Sequence, residues 1–484
     1  MDKNGIVCED LTFRYSQTSK YEVISHASLF IEQGRVTVIS GSSGCGKSTL
    51  LYLMAGIYPQ NAGVVDSGRV LVEGQEIGEL EPSERMPLVG MMFQNPDLQF
   101  CMDTVENELV FCLENKGEDP AGMQRQMDEA LAFCGISHLK EKTLYTLSGG
   151  EKQKVMLACV TLLRPKWLLL DEPFANIDPA STAELVQKLG KLHEELGIGI
   201  VAVDHQVAHW LPILDEVVLL GAGGELLSRG ITRDNLKEYR QTFEELGIVY
   251  PGQSYREPVR RAPVQDEPVL SIRGLCAGYG ETAVLCGLDA DFYRGRAYAV
   301  TGLSGSGKST LFSVLCGLVP YQGSVRLEGK ELKKLRKKAL AHKLGFVFQN
   351  PQDQFVAGSV FDEIAVSLKK RVREEELEER VKAVLQEIGL WKYRFLSPFM
   401  LSQGQQRRLA VAALLAYDCE ILVCDEPTYA QDLRAIRAVM ELLERRVGQG
   451  LTLIFSTHDK QLGCDYADEL YVLEDGKLKR EELP

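Results

Sequence analysis

Apolar and polar stretches alternate in the same way in both halves of the chain. Short apolar runs of β type, VTVIS at 36–40 and AYAV at 297–300, are each followed by a glycine-rich loop. A helix-type run comes next, LLYLMAGI at 50–57 or LFSVLCGL at 311–318. Alternating strands and helices are typical of a mostly parallel sheet with helices on its faces. The pattern therefore predicts an α/β fold in each half.

Five segments of the first half return in the same order in the second half, which indicates a tandem duplication. The first pair is the glycine-rich loop, GSSGCGKST at 41–49 and GLSGSGKST at 302–310. The other pairs are MMFQNPDLQF (91–100) with FVFQNPQDQF (346–355), TLSGGEKQKVMLA (146–158) with MLSQGQQRRLAVA (400–412), LLLDEPFANID (168–178) with LVCDEPTYAQD (422–432), and VAVDH (201–205) with IFSTH (454–458).

The duplication predicts two domains, at 4–245 and 268–484, joined by a linker at 246–267. The linker is rich in Pro, Arg and Gln and has no apolar period, which favours a short irregular segment. Within each domain, the stretches 118–136 and 369–390 have helical rather than β character. We expect these amphipathic stretches to form a helical subdomain inserted into the α/β core.

Each glycine-rich loop has the pattern GxxxxGK[ST] between a strand and a helix, which is typical of a phosphate-binding loop. Glycines let successive backbone N–H groups point at one anion, and the following helix presents its N-terminus to the same phosphates. Lys47 and Lys308 can reach the β- and γ-phosphates, and Ser48 and Ser309 can ligate Mg²⁺. The predicted nucleotide-binding residues are Gly41, Ser42, Gly44, Cys45, Gly46, Lys47, Ser48 and Thr49, and Gly302, Ser304, Gly305, Ser306, Gly307, Lys308, Ser309 and Thr310.

Two apolar runs downstream end in a pair of carboxylates. Asp171 and Glu172 follow the first run, and Asp425 and Glu426 follow the second. An acid at the carboxyl end of such a strand lies beside the phosphate loop in a sheet of this kind. Asp171 and Asp425 are thus predicted to hold Mg²⁺, directly or through water. Glu172 and Glu426 are predicted to polarise an attacking water.

The segment LSGGE at 147–151 is predicted to open a helix. Ser148, Gly149 and Gly150 would present a hydroxyl and unobstructed N–H groups at the helix N-terminus, which is an anion site. A simple helix cap is the alternative interpretation, and it would suffice for this segment alone. The other motifs favour the anion site.

Charge and cysteine content narrow the possible partners. The net charge is −14, and residues 1–245 carry 21 basic and 36 acidic residues, so the basic excess that nucleic-acid binding needs is absent. The twelve cysteines form no CxxC pair, which indicates buried apolar thiols in a reducing compartment. Because no apolar run approaches 18 residues, we expect any work at a membrane to require separate membrane-spanning partners.

Taken together, GxxGxGKST, a Gln after an apolar strand, LSGG, DEP and a late His resemble the ATP-binding cassette (ABC) ATPases over nearly the whole chain, twice. The resemblance implies two P-loop cassettes that pair head to tail within the chain, with ATP and Mg²⁺ as cofactors. Each ATP would then lie between one phosphate loop and the opposite signature segment. One site would join the loop at 41–49 to Ser402 and Gly404, and the other would join the loop at 302–310 to Ser148, Gly149 and Gly150.

The same resemblance assigns roles to six further residues. Gln94 and Gln349 would sense the γ-phosphate and ligate Mg²⁺. His205 and His458 would hold the γ-phosphate and the attacking water. The aromatic residues that would stack on adenine are Tyr15 and Tyr279, although a packed strand aromatic is the alternative there, because aromatic residues are common in strands.

The second signature departs from the family pattern, because Gln403 replaces the usual glycine in LSQGQ at 401–405. A side chain at this position would crowd the approach of the backbone to phosphate. We therefore expect the site built on Lys308 and Glu426, which would meet the intact LSGG, to carry more of the turnover.

A narrower resemblance comes from FQNPDLQF, FQNPQDQF and TVENELVFCLEN (104–115). These segments resemble the ATPases of energy-coupling factor (ECF) transporters, which import vitamins and cobalt or nickel. By that resemblance, the surfaces near 94–100 and 349–355 would receive helices of a transmembrane T subunit. A separate S component would bind the cargo, and the ATPase would lie on the cytoplasmic face of the membrane.

Two alternatives remain. Sugar-type ABC importers also fuse two cassettes, but in that family one of the two phosphate loops is damaged. Both loops are intact here. Soluble tandem-cassette factors that act on ribosomes have a long, charged helical linker. The linker at 246–267 is short and irregular, and the first half is acidic where an RNA-binding protein is basic.

Overall fold

The chain forms two compact units, Met1–Gly252 and Gln253–Pro484, in the computed structural model. The division falls inside the predicted linker. The structure describes residues 4–174, 177, 179–258, 261, 267–280, 282–303, 305–369, 371–429 and 431–483.

The first unit contains ten described strands and seven described α-helices. The strands are β1 (Gly5–Arg14), β2 (Ile24–Glu32), β3 (Val36–Gly41), β4 (Val64–Val72), β5 (Gln75–Glu76), β6 (Val89–Met92), β7 (Trp167–Asp171), β8 (Gly199–Val203), β9 (Glu216–Leu220) and β10 (Leu226–Ile231). The helices are α1 (Lys47–Met54), α2 (Pro82–Arg85), α3 (Val105–Lys116), α4 (Pro120–Cys134), α5 (Gly149–Leu163), α6 (Pro179–Leu196) and α7 (Arg240–Leu246).

The second unit repeats this order of strands and helices, except that its last helix comes before its last two strands rather than after them. Its strands are β11 (Leu270–Tyr279), β12 (Thr282–Phe292), β13 (Ala297–Thr301), β14 (Tyr321–Leu327), β15 (Lys330–Glu331), β16 (Leu344–Val347), β17 (Ile421–Cys424), β18 (Thr452–Ser456), β19 (Glu469–Glu474) and β20 (Lys477–Glu481). Its helices are α8 (Lys308–Leu315), α9 (Lys337–Lys343), α10 (Val360–Leu368), α11 (Glu374–Glu387), α12 (Gln403–Tyr417), α13 (Leu433–Gly448) and α14 (Lys460–Tyr466).

A six-stranded, mostly parallel sheet forms the centre of each unit, as predicted. The strand orders are β10-β9-β3-β8-β7-β6 and β16-β17-β18-β13-β19-β20. Only the edge strands β10 and β20 run antiparallel to their neighbours. Both faces of the sheet are covered: Val38 of β3 packs into one apolar cluster, and its neighbour Ile39 packs into another on the opposite face. Burial on both faces explains why these strands are continuous apolar runs.

Each unit also has a four-stranded antiparallel sheet that the sequence analysis did not predict. The orders are β2-β1-β4-β5 and β12-β11-β14-β15. In the first unit, Phe13 of β1 and Leu50 of α1 share one buried cluster with Ile39. The antiparallel sheet therefore covers the face of the main sheet on which the phosphate-loop helix packs.

Helices α4 and α11 fall within the predicted amphipathic stretches 118–136 and 369–390. In the first unit, α3, α4 and α5 pack through Leu109, Leu131 and Val155, which are fully or almost fully buried. This packing forms the inserted helical subdomain that was predicted.

The described residues 247–258 of the predicted linker form no helix or strand, but side chains at both ends are buried. Ile248 and Tyr250 are buried in the core of the first unit. Tyr255 is buried in the second unit, where its N–H donates to Asp465 Oδ2 at 2.6 Å. These contacts fix both ends of the segment on their own units.

All twelve cysteines are free thiols. Burial raises the pKa of the thiols of Cys8 and Cys134 to about 12, which keeps them neutral. Among the described residues, no helix is long and apolar enough to cross a membrane.

Candidate nucleotide sites

The first phosphate loop connects the end of β3 to the start of α1. Gly44 and Gly46 have positive φ angles of 78° and 102°, and a Cβ on Gly46 would lie 2.6 Å from the Cδ1 of Ile24. Lys47 is buried, and its Nζ donates to the carbonyls of Gly41 and Ser42, both at 2.9 Å. No side chain caps α1. The residues fit a phosphate group, because a buried ammonium and uncapped helix N–H groups lie together.

The second loop repeats this arrangement between β13 and α8. Lys308 Nζ donates to the carbonyls of Gly302 at 2.8 Å and Leu303 at 2.9 Å. Gly305 and Gly307 have φ angles of 75° and 104°, and α8 also lacks a side-chain cap. The predicted site residue Ser304 lies outside the described residues.

Two of the three predicted Mg²⁺ ligands of each unit, the serine and the aspartate, lie in contact, whereas Gln94 and Gln349 bond to the neighbouring glutamates. Ser48 Oγ donates to Asp171 Oδ1 at 2.8 Å, and Ser309 forms the equivalent hydrogen bond with Asp425. Burial raises the pKa of both aspartates, while the serine hydrogen bonds oppose that shift. A hydroxyl beside a carboxylate is a donor set that suits a hard cation such as Mg²⁺. In the parts of the chain that are described, no group of three or more His, Cys, Asp and Glu residues could hold a metal ion.

The first candidate catalytic glutamate lies between the predicted glutamine and histidine. Gln94 Nε2 donates to Glu172 Oε2 at 2.6 Å, and His205 Nε2 lies 3.0 Å from Glu172 Oε1. Burial opposes ionisation of Glu172. The hydrogen bonds from His205 and Gln94 and the charge of Lys47 nevertheless hold its pKa below the usual value. The carboxylate is therefore ionised and oriented, as a general base requires.

The second unit has the same three-residue contact. Gln349 Nε2 donates to Glu426 Oε2 at 3.1 Å, and His458 Nε2 contacts Glu426 Oε1. The side chain of Glu426 is 6% exposed, against 19% for Glu172. Both glutamates have left-handed backbones, with φ angles of 44° for Glu172 and 49° for Glu426. Such a backbone is uncommon outside glycine and often marks a functional site.

The signature segments begin α5 and α12 with matching capping boxes. Ser148 Oγ accepts from Glu151 N, and Glu151 Oε2 accepts from Ser148 N at 2.8 Å. Ser402 and Gln405 form the same box in the second unit. Gly149, Gly150 and Gly404 lie in the first turns of these helices, and Gln403 is exposed. Their predicted role toward the nucleotide of the other unit remains a prediction.

The two predicted adenine-stacking tyrosines are both about half exposed. Tyr15 is 50% exposed, and its hydroxyl lies 2.7 Å from Thr49 Oγ1 at the start of α1. Tyr279 ends β11 and is 58% exposed. Both rings are thus accessible to a planar ligand, and Tyr15 lies beside the phosphate loop.

Two residues at the first site were not predicted from the sequence. Tyr52 of α1 hydrogen-bonds to the predicted Mg²⁺ ligand Asp171. Asp204 is buried and accepts from Gln206 N and Trp210 Nε1, both at 2.8 Å, which fixes the turn that carries His205. Tyr52 lies one helical turn after Ser48, so the sequence alone indicated that the two side chains share one face of the phosphate-loop helix.

Comparison with known proteins identifies the class of protein. A sequence profile of the ABC transporter family matches residues 24–175 and 285–429. The chain therefore belongs to the ABC transporter ATP-binding family, whose members bind and hydrolyse ATP. It contains two such cassettes in tandem.

Particular relatives extend over nearly the whole chain. The "Putative HMP/thiamine import ATP-binding protein YkoD" of Bacillus subtilis is 35% identical, and the match covers 99% of this chain and 91% of the relative. A "Putative ABC transporter ATP-binding protein" of Methanosarcina mazei is 31% identical, with 98% and 88% covered. A solved complex of an archaeal ribosome recycling factor with a ribosomal stalk protein has a TM-score of 0.66 at 18% identity, with 97% of this chain and 89% of that chain covered. At that identity, the likeness shows the fold alone.

Proposed function

We propose that this chain is the ATP-hydrolysing subunit of a membrane importer of the ECF type, acting through separate transmembrane partners. The observation that carries the proposal is the duplicated contact of glutamine, glutamate and histidine beside an intact phosphate loop in each unit. Two complete sets favour this group over the sugar-type importers, in which one phosphate loop is damaged.

The residues of each unit have separable tasks. Lys47 and Lys308 would bind the β- and γ-phosphates of ATP, because each ammonium already lies within its phosphate loop. Mg²⁺, held by the Ser48–Asp171 pair and its counterpart, would supply positive charge against the phosphates. Glu172 would accept a proton from water that Gln94 and His205 help to orient.

We further propose that the two units pair head to tail, so that each nucleotide meets the signature segment of the opposite unit. The resemblance to the ABC ATPases supports this arrangement. ATP binding would then draw the units together, and hydrolysis would separate them. Engineered cysteines at Gly149 and Ser306 test the pairing: we expect ATP-dependent cross-linking within one chain, and no cross-link would contradict it.

An exposed apolar side chain in the loop after the predicted glutamine supports a membrane partner in each unit. The loop that follows Gln94 exposes Leu98 by 76%, and the loop that follows Gln349 exposes Val356 by 77%. Buried carboxylates hold both loops: Glu108 Oε2 accepts from the N–H groups of residues 101 and 102 at 2.9 and 2.8 Å, and Glu363 Oε2 accepts from those of 356 and 357 at 3.0 and 2.9 Å. Contiguous exposed apolar patches mark docking sites, and Leu98 and Val356 would each contribute to such a patch.

The cargo would bind to a separate S component rather than to this chain. The relative named for HMP/thiamine import covers almost the whole sequence, which supports a vitamin or vitamin precursor rather than a metal ion as the cargo class. The T subunit would contact the surfaces near 94–100 and 349–355, so that closure of the two units moves its helices. This arrangement would place the chain at the cytoplasmic face of the membrane.

Affinity purification of the tagged chain from gently solubilised membranes, followed by mass spectrometry, tests the proposal. We expect a polytopic T subunit and a small hydrophobic S component to co-purify. The Leu98→Glu and Val356→Glu variants should lose both partners. Leu196→Glu, an equally sized change at an exposed helix end, should retain them. Ribosomal proteins without a membrane partner would overturn the importer in favour of the ribosomal class.

A further inference from the structure

The backbone of Glu426 is held on both sides by side chains that have no counterpart in the first unit. Its N–H donates to Ser456 Oγ at 2.9 Å, and its carbonyl accepts from Arg407 Nη1 at 2.7 Å. Ser456 Oγ also donates to Asp425 Oδ1 at 2.6 Å. The serine therefore links the predicted Mg²⁺ ligand to the peptide of the predicted catalytic glutamate.

Arg407 is an unusual residue for its position. It lies on α12, is 7% exposed, and its guanidinium carbon is 5.8 Å from the centre of the Tyr429 ring. Its Nε has no hydrogen-bond partner in the described parts of the chain, and burial lowers the pKa of the guanidinium to about 10. A buried cation that bonds a carbonyl is expensive to maintain, so its position calls for a functional reason.

The first unit carries different residues at the equivalent positions of the repeat. Gln153 replaces Arg407, and Val203 replaces Ser456. Gln153 is 1% exposed, and neither of its amide atoms has a hydrogen-bond partner among the described residues. The N–H of Glu172 donates to the carbonyl of Val203 at 2.9 Å. The amide of Glu172 is thus bonded to backbone, without a side chain that also contacts the Mg²⁺ ligand.

We propose that Arg407 and Ser456 are positioning residues that fix the left-handed peptide of Glu426. They hold its carboxylate toward Gln349 and His458 before nucleotide arrives. The first unit lacks both side chains, so its glutamate is less strongly oriented. This inference rests on the proposed role of Glu426 in hydrolysis. It gives the second unit a structural basis for faster turnover that is independent of the signature segments.

The geometry explains why two bonds act together. A left-handed backbone is disfavoured for glutamate, and in the second unit the N–H and the carbonyl of Glu426 are both bonded to side chains. Removal of either bond lets the peptide relax and moves the carboxylate. Small displacements of a catalytic group reduce turnover much more than they reduce substrate binding.

The test replaces these residues by those of the first unit, in the full chain: Arg407→Gln, Ser456→Val and the double variant. Arg408→Gln is the matched control, because Arg408 is the next residue on α12 and has no hydrogen bond to Glu426 among those described. Arg407→Lys retains a donor and tests rescue. Hydrogen–deuterium exchange over residues 421–429, without nucleotide, measures how firmly the amide of Glu426 is held. Residues 167–174 of the first unit provide the internal reference.

We expect the double variant to exchange the Glu426 amide about tenfold faster and to lose about tenfold in kcat, while KM changes less than twofold. Affinity for a fluorescent ATP analogue in EDTA should also change less than twofold. Arg407→Lys should recover part of kcat, and Arg408→Gln should behave as wild type. Unchanged exchange and kcat would overturn the inference, as would equal losses of kcat, analogue affinity and melting temperature. If the wild type hydrolyses no ATP, the proposed function fails, and the exchange measurement still decides whether Arg407 and Ser456 hold the peptide.

Discussion

Ser48 Oγ donates a hydrogen bond of 2.8 Å to Asp171 Oδ1, although the two residues belong to motifs more than a hundred positions apart. The contact exists because β3, which leads into the phosphate loop, and β7, which ends at Asp171, both pair with β8. The carboxyl ends of parallel strands meet at one edge of the sheet. A cation at this edge would therefore find a hydroxyl and a carboxylate already together.

The Asp171→Asn variant should raise the Mg²⁺ concentration needed for half-maximal ATP hydrolysis by about tenfold or more, because an amide oxygen carries no charge to offset that of the cation. Titration of Mg²⁺ at saturating ATP measures the change. Asp425→Asn is the counterpart in the second unit. Addition of EDTA should abolish hydrolysis in all forms. An unchanged Mg²⁺ requirement in both variants would contradict the prediction that these aspartates bind Mg²⁺.

The Glu172→Gln and Glu426→Gln variants should differ in their effect on turnover. Both remove the base, but the intact signature LSGG would serve the site of Glu426, and Glu426 is also more buried. We expect Glu426→Gln to lower the steady-state ATPase rate by about 10²-fold or more, and Glu172→Gln to lower it less. Phosphate release at saturating ATP gives the comparison. Equal losses would contradict the asymmetry between the two sites.

The Gly46→Ala variant should weaken nucleotide binding and destabilise the first unit. Gly46 has a φ of 102°, and a Cβ there would lie 2.6 Å from Ile24 Cδ1 and 3.0 Å from the Val23 carbonyl oxygen. Backbone strain of this kind costs on the order of 1–3 kcal/mol. Thermal unfolding with and without ATP measures both effects. Gly78→Ala is the control, because no atom lies within 4 Å of a Cβ built there.

The central sheets and the phosphate loops could be predicted because each depends on a local pattern, whereas the contacts of the glutamates with Gln94, Gln349, His205 and His458 were expected only from the resemblance to the ABC ATPases. A buried parallel strand is a continuous apolar run, and the glycine spacing of a phosphate loop is imposed by its backbone. Contacts such as Arg407 with Glu426 and Trp210 with Asp204 depend on how helices pack on the sheet. No periodicity encodes that packing, although alignment of the two halves does mark Arg407 and Ser456 as positions where the copies differ.

The antiparallel sheets escaped prediction for a different reason. Strand β1 pairs with β4 across the whole phosphate loop and α1, and both pairings of β1 have irregular registers. Irregular register interrupts the alternation of apolar and polar residues that marks such a strand.

The Glu363→Gln variant should alter the pH dependence of stability and loosen the loop that contains Val356 and Ala357. Glu363 is 4% exposed, and one carboxylate oxygen accepts from the N–H groups of Val356 and Ala357. Burial raises its pKa, against the opposing effect of these two bonds. An acid with a raised folded-state pKa contributes stability at low pH and loses that contribution as pH rises through the folded-state value. Glutamine does not titrate, so the stability of wild type relative to the variant should fall as pH rises from about 4 toward neutrality.

Chemical denaturation of both proteins across that range measures the difference. At neutral pH we expect the two unfolding free energies to differ by about 1–2 kcal/mol, the size of a changed hydrogen bond to a charged group. Exchange of the amides at 356 and 357 should rise in the variant, and recovery of the membrane partner should fall with it. If the amides of the loop exchange faster but the membrane partner is still fully recovered, the order of this loop does not matter for binding, and the proposed role of Val356 is contradicted.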